Sequence, residues 1–276
     1  MQRIAFFLFV SCALALGCEE IPPVVTPLEM EQAPDTARQR VLVEEFTGTR
    51  CVNCPAGSSE LSRLKDIYGD QMIIVAIHAG SFARPYPDSR EDFRTPEGNA
   101  LLSFLGQPLG YPSAVISRKK FEGEFDLQLN RSLWPVYLNQ ELQQTARVGI
   151  RPRLNYQSAT REMQLTVDPT LLTTDAPDDL RLSVMVVEDS VADYQLTPDG
   201  IDTEYVHRHN LRDMLTAATG NNLPADWASG QTLTRSYTAL LSQNWRAEQC
   251  SLVILVHRTG EQKDIWEVAE IPLPDE

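Results

Sequence analysis

The first half of the chain alternates short apolar runs with segments of helical periodicity. Three runs are nearly continuously apolar and rich in β-branched residues, as buried parallel strands are: residues 40–46, 72–78 and 113–116. Three other stretches place apolar residues three or four positions apart, which predicts helices: residues 58–68, 96–105 and 127–145. The pattern therefore predicts an α/β domain over residues 41–146.

The second half changes to the alternation expected of strands with one buried face. This alternation is clearest at Leu180, Leu182, Val184 and Val186. Six candidate strands follow one another: residues 147–156, 162–168, 180–188, 231–241, 250–258 and 264–271. That number of short strands predicts an all-β immunoglobulin-like sandwich over residues 147–276. Residues 205–219 interrupt the pattern, and we predict that they form a helical or irregular insertion ending at Gly220.

The chain begins with a segment typical of exported proteins. A short basic start precedes an apolar run that ends at Gly17 and is too short to span a bilayer. Residues 14–18 read Leu-Ala-Leu-Gly-Cys, which resembles a lipobox and makes Cys18 the acylated first residue of the mature chain. We therefore predict a lipoprotein signal peptide over residues 1–17 and a proline-rich tether over residues 18–40. Acyl chains such as palmitate on Cys18 would anchor the protein in a membrane.

The acidic composition narrows the range of partners. Without residues 1–17 the chain holds 23 basic and 38 acidic residues, a net charge of −15. Nucleic acid and anionic lipid headgroups are poor partners for such a surface. The acidity is uneven, since residues 41–146 carry a net charge of −3 and residues 151–276 carry −10. This asymmetry supports two domains, with a boundary near residue 147.

Candidate chemistry lies at Cys51 and Cys54, between a predicted strand and a predicted helix. Unpaired backbone amides and the dipole at a helix start favour a thiolate and lower a cysteine pKa from about 8.5 to roughly 3.5–7.5. Two thiols at this spacing are the minimum for thiol–disulfide exchange. Two other interpretations remain open at this point, namely a structural disulfide and half of a zinc site, although zinc needs four ligands. We predict no cofactor and no metal.

The order strand, Cys-x-x-Cys, helix, strand, helix, Xaa-Pro, strand, helix resembles thioredoxin. The resemblance implies that Cys51 is the nucleophile and Cys54 the resolving thiol. Pro112 would match the cis-proline beside the disulfide, and Tyr111-Pro112 before a short strand is in any case a candidate cis peptide. Glu45 would match the buried acid beneath the second cysteine, able to take its proton. Because Glu44 points to the opposite face of the strand, we expect one of these two glutamates to be exposed.

Several departures from thioredoxin indicate a narrower family. Arg50 replaces the usual tryptophan, and Val52-Asn53 replaces the Gly-Pro spacer. Three segments instead resemble the outer-membrane-protein-28-related lipoproteins of Gram-negative bacteria: residues 44–55, 92–98 and 110–113. Residues 205–212 and 250–257 resemble the second half of that family. The resemblance implies a lipid-anchored protein of the outer membrane, on its periplasmic or cell-surface face.

Three further features of the second half receive structural interpretations. His207 and His209 would share a face on a strand, but no third ligand is evident, so hydrogen-bonded histidines are favoured over a metal site. The acidic loops at residues 175–179 and 189–204 match no EF-hand spacing and are favoured as solvated loops rather than calcium sites. Cys250 opens a strongly apolar strand and is predicted to be a buried, small hydrophobic residue.

Two functional classes follow from the sequence. In the first, the anchored protein exchanges thiols and disulfides with exported proteins through Cys51 and Cys54. In the second, it is a surface binding or adhesion lipoprotein that uses the thioredoxin fold as a scaffold and in which the disulfide is structural. Fold alone does not decide between them. The retained cysteine pair with Glu45 and Pro112 favours the first class, whereas the altered spacer favours the second.

Overall fold

The computed structural model describes residues 29–31 and 39–274. The predicted signal peptide, Cys18 and most of the predicted tether lie outside these residues. Within the described part, no helix is both long enough and apolar enough to cross a membrane.

The described N-terminal region is mixed α/β. Its elements, in chain order, are strands β1 (Glu29–Glu31) and β2 (Val41–Thr47), helix α1 (Cys54–Tyr68), strand β3 (Met72–His78), helix α2 (Pro96–Leu105), strand β4 (Ser113–Ile116) and helix α3 (Trp134–Glu141). Short 3-10 turns occur at Gly69–Gln71, Ser81–Ala83 and Arg131–Leu133. Strand β2 pairs in parallel with β3 and antiparallel with β4. The apolar runs thus form a central sheet, and α3 is shorter than the helix predicted within residues 127–145.

The C-terminal region is rich in strands. They are β5 (Val148–Gln157), β6 (Glu162–Leu171), β7 (Arg181–Glu188), β8 (Val191–Thr197), β9 (Gly200–His207), β10 (Asn210–Met214), β11 (Asn221–Asn222), β12 (Arg235–Leu240), β13 (Cys250–His257) and β14 (Ile265–Pro272), with a 3-10 turn at Ala247–Gln249. A four-stranded sheet has the order β1-β5-β6-β12. Its apolar face packs on that of β7, β13 and β14, so the region is a β-rich sandwich.

The prediction of an insertion over residues 205–219 is wrong. This segment contains the end of β9 and all of β10. Strand β9 pairs with β8 in a separate two-stranded hairpin, and β10 pairs with β7. Strand β9 is largely exposed along its length and β10 is largely buried, so neither shows a clear apolar alternation. Their pairing rather than their residue pattern defines them.

One eight-stranded sheet runs through both predicted domains. Its main path is β14-β13-β7-β10-β3-β2-β4, and β11 adds to β7. The junction is the parallel pair β10–β3, where the Ala76 amide donates to the His209 carbonyl at 2.7 Å. One apolar cluster joins Phe46 and Val75 to Val187 and Val253. The two regions therefore share a sheet and part of a core across the boundary predicted near residue 147.

Candidate functional site

Cys51 and Cys54 form a disulfide at the start of α1. The turn that follows β2 carries Cys51, and α1 begins at Cys54 with Pro55 in its first turn, where proline has no amide to leave unpaired. The exposed fractions of Cys51 and Cys54 are 3% and 1%. The predicted pair is therefore a buried disulfide at a helix N-terminus.

Glu45 lies buried on the sheet beneath α1. Glu45 is a residue of β2. Burial raises the pKa of its carboxyl from 4.5 to about 8, and Ser58 partly offsets this rise. Within the described residues, the Glu45 Oε1 atom has no hydrogen-bond partner. Such a carboxyl holds a proton near neutral pH and can transfer it to an adjacent base.

Glu45 and Pro112 both pack close to Gly57 of α1. The Tyr111–Pro112 peptide bond is cis, as the sequence predicts. A Cβ atom added at Gly57 would lie 2.7 Å from Glu45 Oε1 and 2.8 Å from Pro112 Cγ. Because Gly57 is in the first turn of α1, the structure places the acid and the proline against the helix turn that opens with Cys54. The sequence reasoning missed Gly57, since glycine so near a helix start carries no distinctive pattern.

The expectation that either Glu44 or Glu45 is exposed is wrong, because both are buried. Glu44 forms a two-pronged ion pair with Arg118, with distances of 2.6 and 2.8 Å, and both side chains are fully buried. A guanidinium nitrogen of Arg118 lies 3.4 Å from the ring of His257 in β13. Residues of the C-terminal strands therefore pack on this face of β2.

The β8–β9 hairpin lies against the cysteine turn. The Gln195 side-chain amide donates to the Cys51 carbonyl at 3.0 Å, and the Leu196 amide donates to the Thr49 carbonyl at 2.7 Å. The buried Asp193 carboxylate accepts from the amides of Arg90 and Glu91 at 3.2 and 2.7 Å. Residues that the sequence indicated as a solvated acidic loop therefore form a strap from residues 90–91 to the cysteine turn.

Arg50 is held away from the disulfide. Its guanidinium donates to the carbonyls of Arg84 and Pro85, both at 2.8 Å, and lies 4.2 Å from the centre of the Tyr86 ring. These contacts hold residues 84–86 against the cysteine turn. No contact in the described structure directs Arg50 at Cys51.

The predicted pair His207 and His209 does not share a strand face. His207 ends β9, whereas His209 has a left-handed backbone with φ of 55°. His207 contacts the Tyr194 carbonyl at 3.2 Å and packs near the rings of His78 and Phe93. Burial lowers the pKa of His207 to about 4. No group of three or more potential metal ligands occurs among the residues that the structure describes.

Cys250 is buried and is free of any disulfide within the described part of the chain. Burial, reinforced by Glu188, raises the pKa of its thiol to about 12. A thiol with so high a pKa is a poor nucleophile near neutral pH. Cys250 is therefore a small buried hydrophobic residue, as its position in an apolar strand predicts.

The fold and the site together define a mixed α/β region with a Cys-x-x-Cys disulfide, joined to a β-rich sandwich. Residues 107–272 match the family model described as outer membrane protein Omp28. The chain belongs to this family, as the sequence motifs indicate.

Two solved structures show a similar architecture. HBP35 of Porphyromonas gingivalis aligns over 86% of this chain and 76% of its own, with 20% identity and a TM-score of 0.68. A structural-genomics target from Agrobacterium tumefaciens aligns over 86% of this chain and 95% of its own, with 12% identity and a TM-score of 0.53. The comparison with curated proteins yields no match. At these identities the likeness concerns the fold alone.

Proposed function

We propose that this protein is a lipoprotein of the outer membrane whose thioredoxin-like region exchanges thiols and disulfides with exported proteins. The observation that carries the proposal is the Cys51–Cys54 disulfide at the start of α1, with Glu45 buried against Gly57 in the first turn of the same helix. The strand order of residues 41–146 and cis-Pro112 support the thioredoxin-like assignment. Residues 147–276, proposed as an immunoglobulin-like domain, would orient the partners.

The proposed exchange gives Cys51, Cys54 and Glu45 one role each. A thiolate of a reduced partner attacks Cys51 Sγ, the Cys51–Cys54 bond breaks, and Cys54 leaves as a thiolate that takes the proton of Glu45. A second thiolate of the partner then attacks the partner's sulfur in the mixed disulfide and releases Cys51 as a thiolate. The partner is thereby oxidised and the cysteine pair is reduced. In the reverse direction Glu45 accepts the proton of Cys54.

A trapping experiment tests this function. In the Cys54→Ser variant the mixed disulfide at Cys51 is not resolved, so covalent adducts with exported proteins should accumulate. The Cys51→Ser/Cys54→Ser double variant is the matched control and should show none. We also expect a reduction potential within the roughly −120 to −270 mV of known oxidoreductases.

The second candidate is a surface binding or adhesion lipoprotein with a structural disulfide. The near-complete burial of both cysteines and the strap of Gln195 across the turn favour it. This function predicts a potential below about −300 mV, no adducts in Cys54→Ser, and a loss of stability of roughly 2 kcal/mol or less on reduction of so short a loop. That combination of results would rule out thiol–disulfide exchange and support the binding or adhesion function.

The anchor is proposed at Cys18, with removal of residues 1–17. An acyl-anchored protein fractionates with membranes because its lipid chains bury many methylene groups. Cys18→Ser should release the protein into the soluble fraction. Mass spectrometry that finds an unmodified N-terminus at another residue would contradict the anchor.

A further inference from the structure

Phe82 presents an aromatic ring to solvent although its backbone is fixed beside the cysteine turn. It lies in the 3-10 turn Ser81–Ala83, between β3 and α2. Its carbonyl accepts from the Arg50 amide at 2.9 Å, and glycine at position 48 permits this approach, because a Cβ on Gly48 would collide with the same carbonyl. The Phe82 side chain is nevertheless 43% exposed. The residue is therefore held next to the turn that carries Cys51, with its ring available for contact.

A second ring, that of Tyr111, packs beside Phe82. The two ring centres are 5.4 Å apart, and the ring planes are tilted by 49°. Tyr111 precedes cis-Pro112, and its hydroxyl donates to the Ala79 carbonyl at 3.0 Å. Pro112 in turn packs close to Gly57 of α1. The pair of rings therefore connects the cysteine turn with the segment that carries the cis-proline.

Further apolar side chains are exposed on the same segments. Val52, between the two cysteines, is 40% exposed, and Leu109, two residues before Tyr111, is 99% exposed. Single exposed apolar residues are common on protein surfaces, whereas several in one place mark an interaction site. Because these segments carry the disulfide and the cis-proline, the occupant that fits them is a partner whose cysteine reaches the disulfide.

Arg84 adds a positive charge to this surface. Its carbonyl accepts from the Thr49 hydroxyl at 3.0 Å and from the Arg50 guanidinium at 2.8 Å, so its backbone is also fixed to the cysteine turn. Its side chain is exposed and takes part in no ion pair within the part of the chain that the structure describes. An exposed, unpaired guanidinium in a chain of net charge −14 favours a carboxylate on the partner.

We propose that Phe82 is a specificity-determining residue, on whose ring an exported partner seats an apolar side chain next to its reactive cysteine, while Arg84 binds a carboxylate of the same segment. The inference rests on the exchange function proposed above and names its substrate class. That class is extended segments in which a cysteine lies between an apolar and an acidic residue.

Reduction of the intact, oxidised protein by short cysteine peptides tests the proposal. The peptides are Gly-Phe-Cys-Asp-Gly and its reverse order Gly-Asp-Cys-Phe-Gly, each also made with Ala for Phe and with Asn for Asp. Loss of the Cys51–Cys54 disulfide is followed by alkylation and mass spectrometry. The apolar preference is the ratio of the rates with Phe and with Ala, and the acid preference is the ratio with Asp and with Asn. Comparing these ratios between protein variants cancels the intrinsic reactivity of each peptide thiol.

Phe82→Ala should lower the apolar preference by about fivefold or more in the better peptide order, as truncation of an interface aromatic residue does. The rate with dithiothreitol, which has neither side chain, should not change. Phe82→Leu keeps a large apolar group and should retain most of the preference. Arg84→Ala should remove the acid preference alone. Leu240→Ala and Arg235→Ala, both in β12, are the matched controls and should change neither ratio.

A peptide with serine in place of cysteine separates docking from exchange. It should slow reduction by dithiothreitol in the unaltered protein but not in Phe82→Ala, and this protection is independent of the trapping experiment. Equal apolar preference in Phe82→Ala and the unaltered protein would overturn the role of Phe82, and an unchanged acid preference in Arg84→Ala would overturn that of Arg84. A dimer that Phe82→Ala converts to a monomer on size-exclusion chromatography would show that a second copy covers the ring, and would also overturn the proposal.

Discussion

Glu44 and Glu45 are neighbours in the chain but lie in opposite electrostatic environments. Glu44 is neutralised by the buried guanidinium of Arg118 at 2.6 Å. Glu45 has no cation paired with it in the described structure, and its burial favours the protonated form. One glutamate is therefore a structural ion-pair partner, and the other is suited to exchange a proton.

The protonation of Glu45 should make stability depend on pH. Its pKa is 4.5 when solvated and about 8 in the fold, so the stabilising contribution of the protonated form is present below 4.5 and is lost as the pH rises through about 8. Glu45→Gln should reduce this loss, by an amount on the order of a few kcal/mol. Urea unfolding across this pH range measures the free energy of unfolding at each pH. If that free energy depends on pH equally in Glu45→Gln and in the unaltered protein, the expectation is contradicted.

Gly57 should not tolerate a methyl group. Gly57→Ala would place Cβ against Glu45 Oε1 and the Pro112 ring at less than 3.0 Å, and overpacking of this kind costs about 1–3 kcal/mol. Gly110→Ala is the matched control, because nothing lies within 4 Å of its added Cβ. Thermal unfolding of the two variants measures the difference, and equal stability would show that the helix start adjusts freely.

At the scale of elements, the β8–β9 hairpin is the part of the C-terminal region that reaches the cysteine turn. It pairs with neither large sheet and is held by contacts at its sides. Gln195 and Leu196 bind the backbone of the turn, and Asp193 binds the backbone at residues 90–91, before α2. The hairpin therefore supports a turn that in other respects belongs to the N-terminal region.

Loss of the Asp193 carboxylate should loosen this strap. Asp193→Ala removes the two charge-assisted hydrogen bonds from the amides of Arg90 and Glu91, at a cost of about 1–3 kcal/mol. We expect faster hydrogen exchange in the hairpin and at residues 90–91, together with faster reduction of the disulfide by dithiothreitol. Asp199→Ala, in the exposed hairpin turn, is the control and should change neither. Equal exchange rates in the two variants would mean that the hairpin is held by its other contacts.

At the scale of the whole molecule, the two regions are joined through β3 and β10. The apolar face formed by Phe46 and Val75 packs with Val187 and Val253 from the C-terminal strands. Glu44 and Arg118 lie beside His257 of the same region. An isolated N-terminal region would expose these apolar residues and a buried ion pair to water.

A fragment ending near residue 146 should therefore fold poorly. Exposure of one face of its sheet removes hydrophobic stabilisation and uncovers the edge of β3, which favours aggregation. Circular dichroism of residues 39–146 should show no cooperative melting, whereas residues 39–276 should melt cooperatively. A cooperative transition in the short fragment would instead support the independent domain that the change of charge at residue 147 indicates.

The sequence locates the core of the candidate site because its residues lie in recognisable local patterns. Cys51, Cys54 and Glu45 lie within ten residues, between an apolar strand and a periodic helix, and Pro112 precedes a short strand. Gln195 is 144 residues from Cys51 and has no distinctive motif around it. Its contact with the turn depends on the pairing of β8 with β9, which no local pattern near Gln195 specifies.

The sequence by itself determined the helix start that carries the disulfide, the cis peptide at Pro112, the burial of Cys250 and the family. These features follow from local periodicity, residue type and motif spacing. Only the tertiary structure decided that Glu44 is buried as well as Glu45, that residues 205–207 and 210–214 are strands, and that one sheet crosses the predicted boundary. Each of these features depends on contacts between segments that are far apart in the sequence. Such contacts are a property of tertiary packing rather than of any local segment.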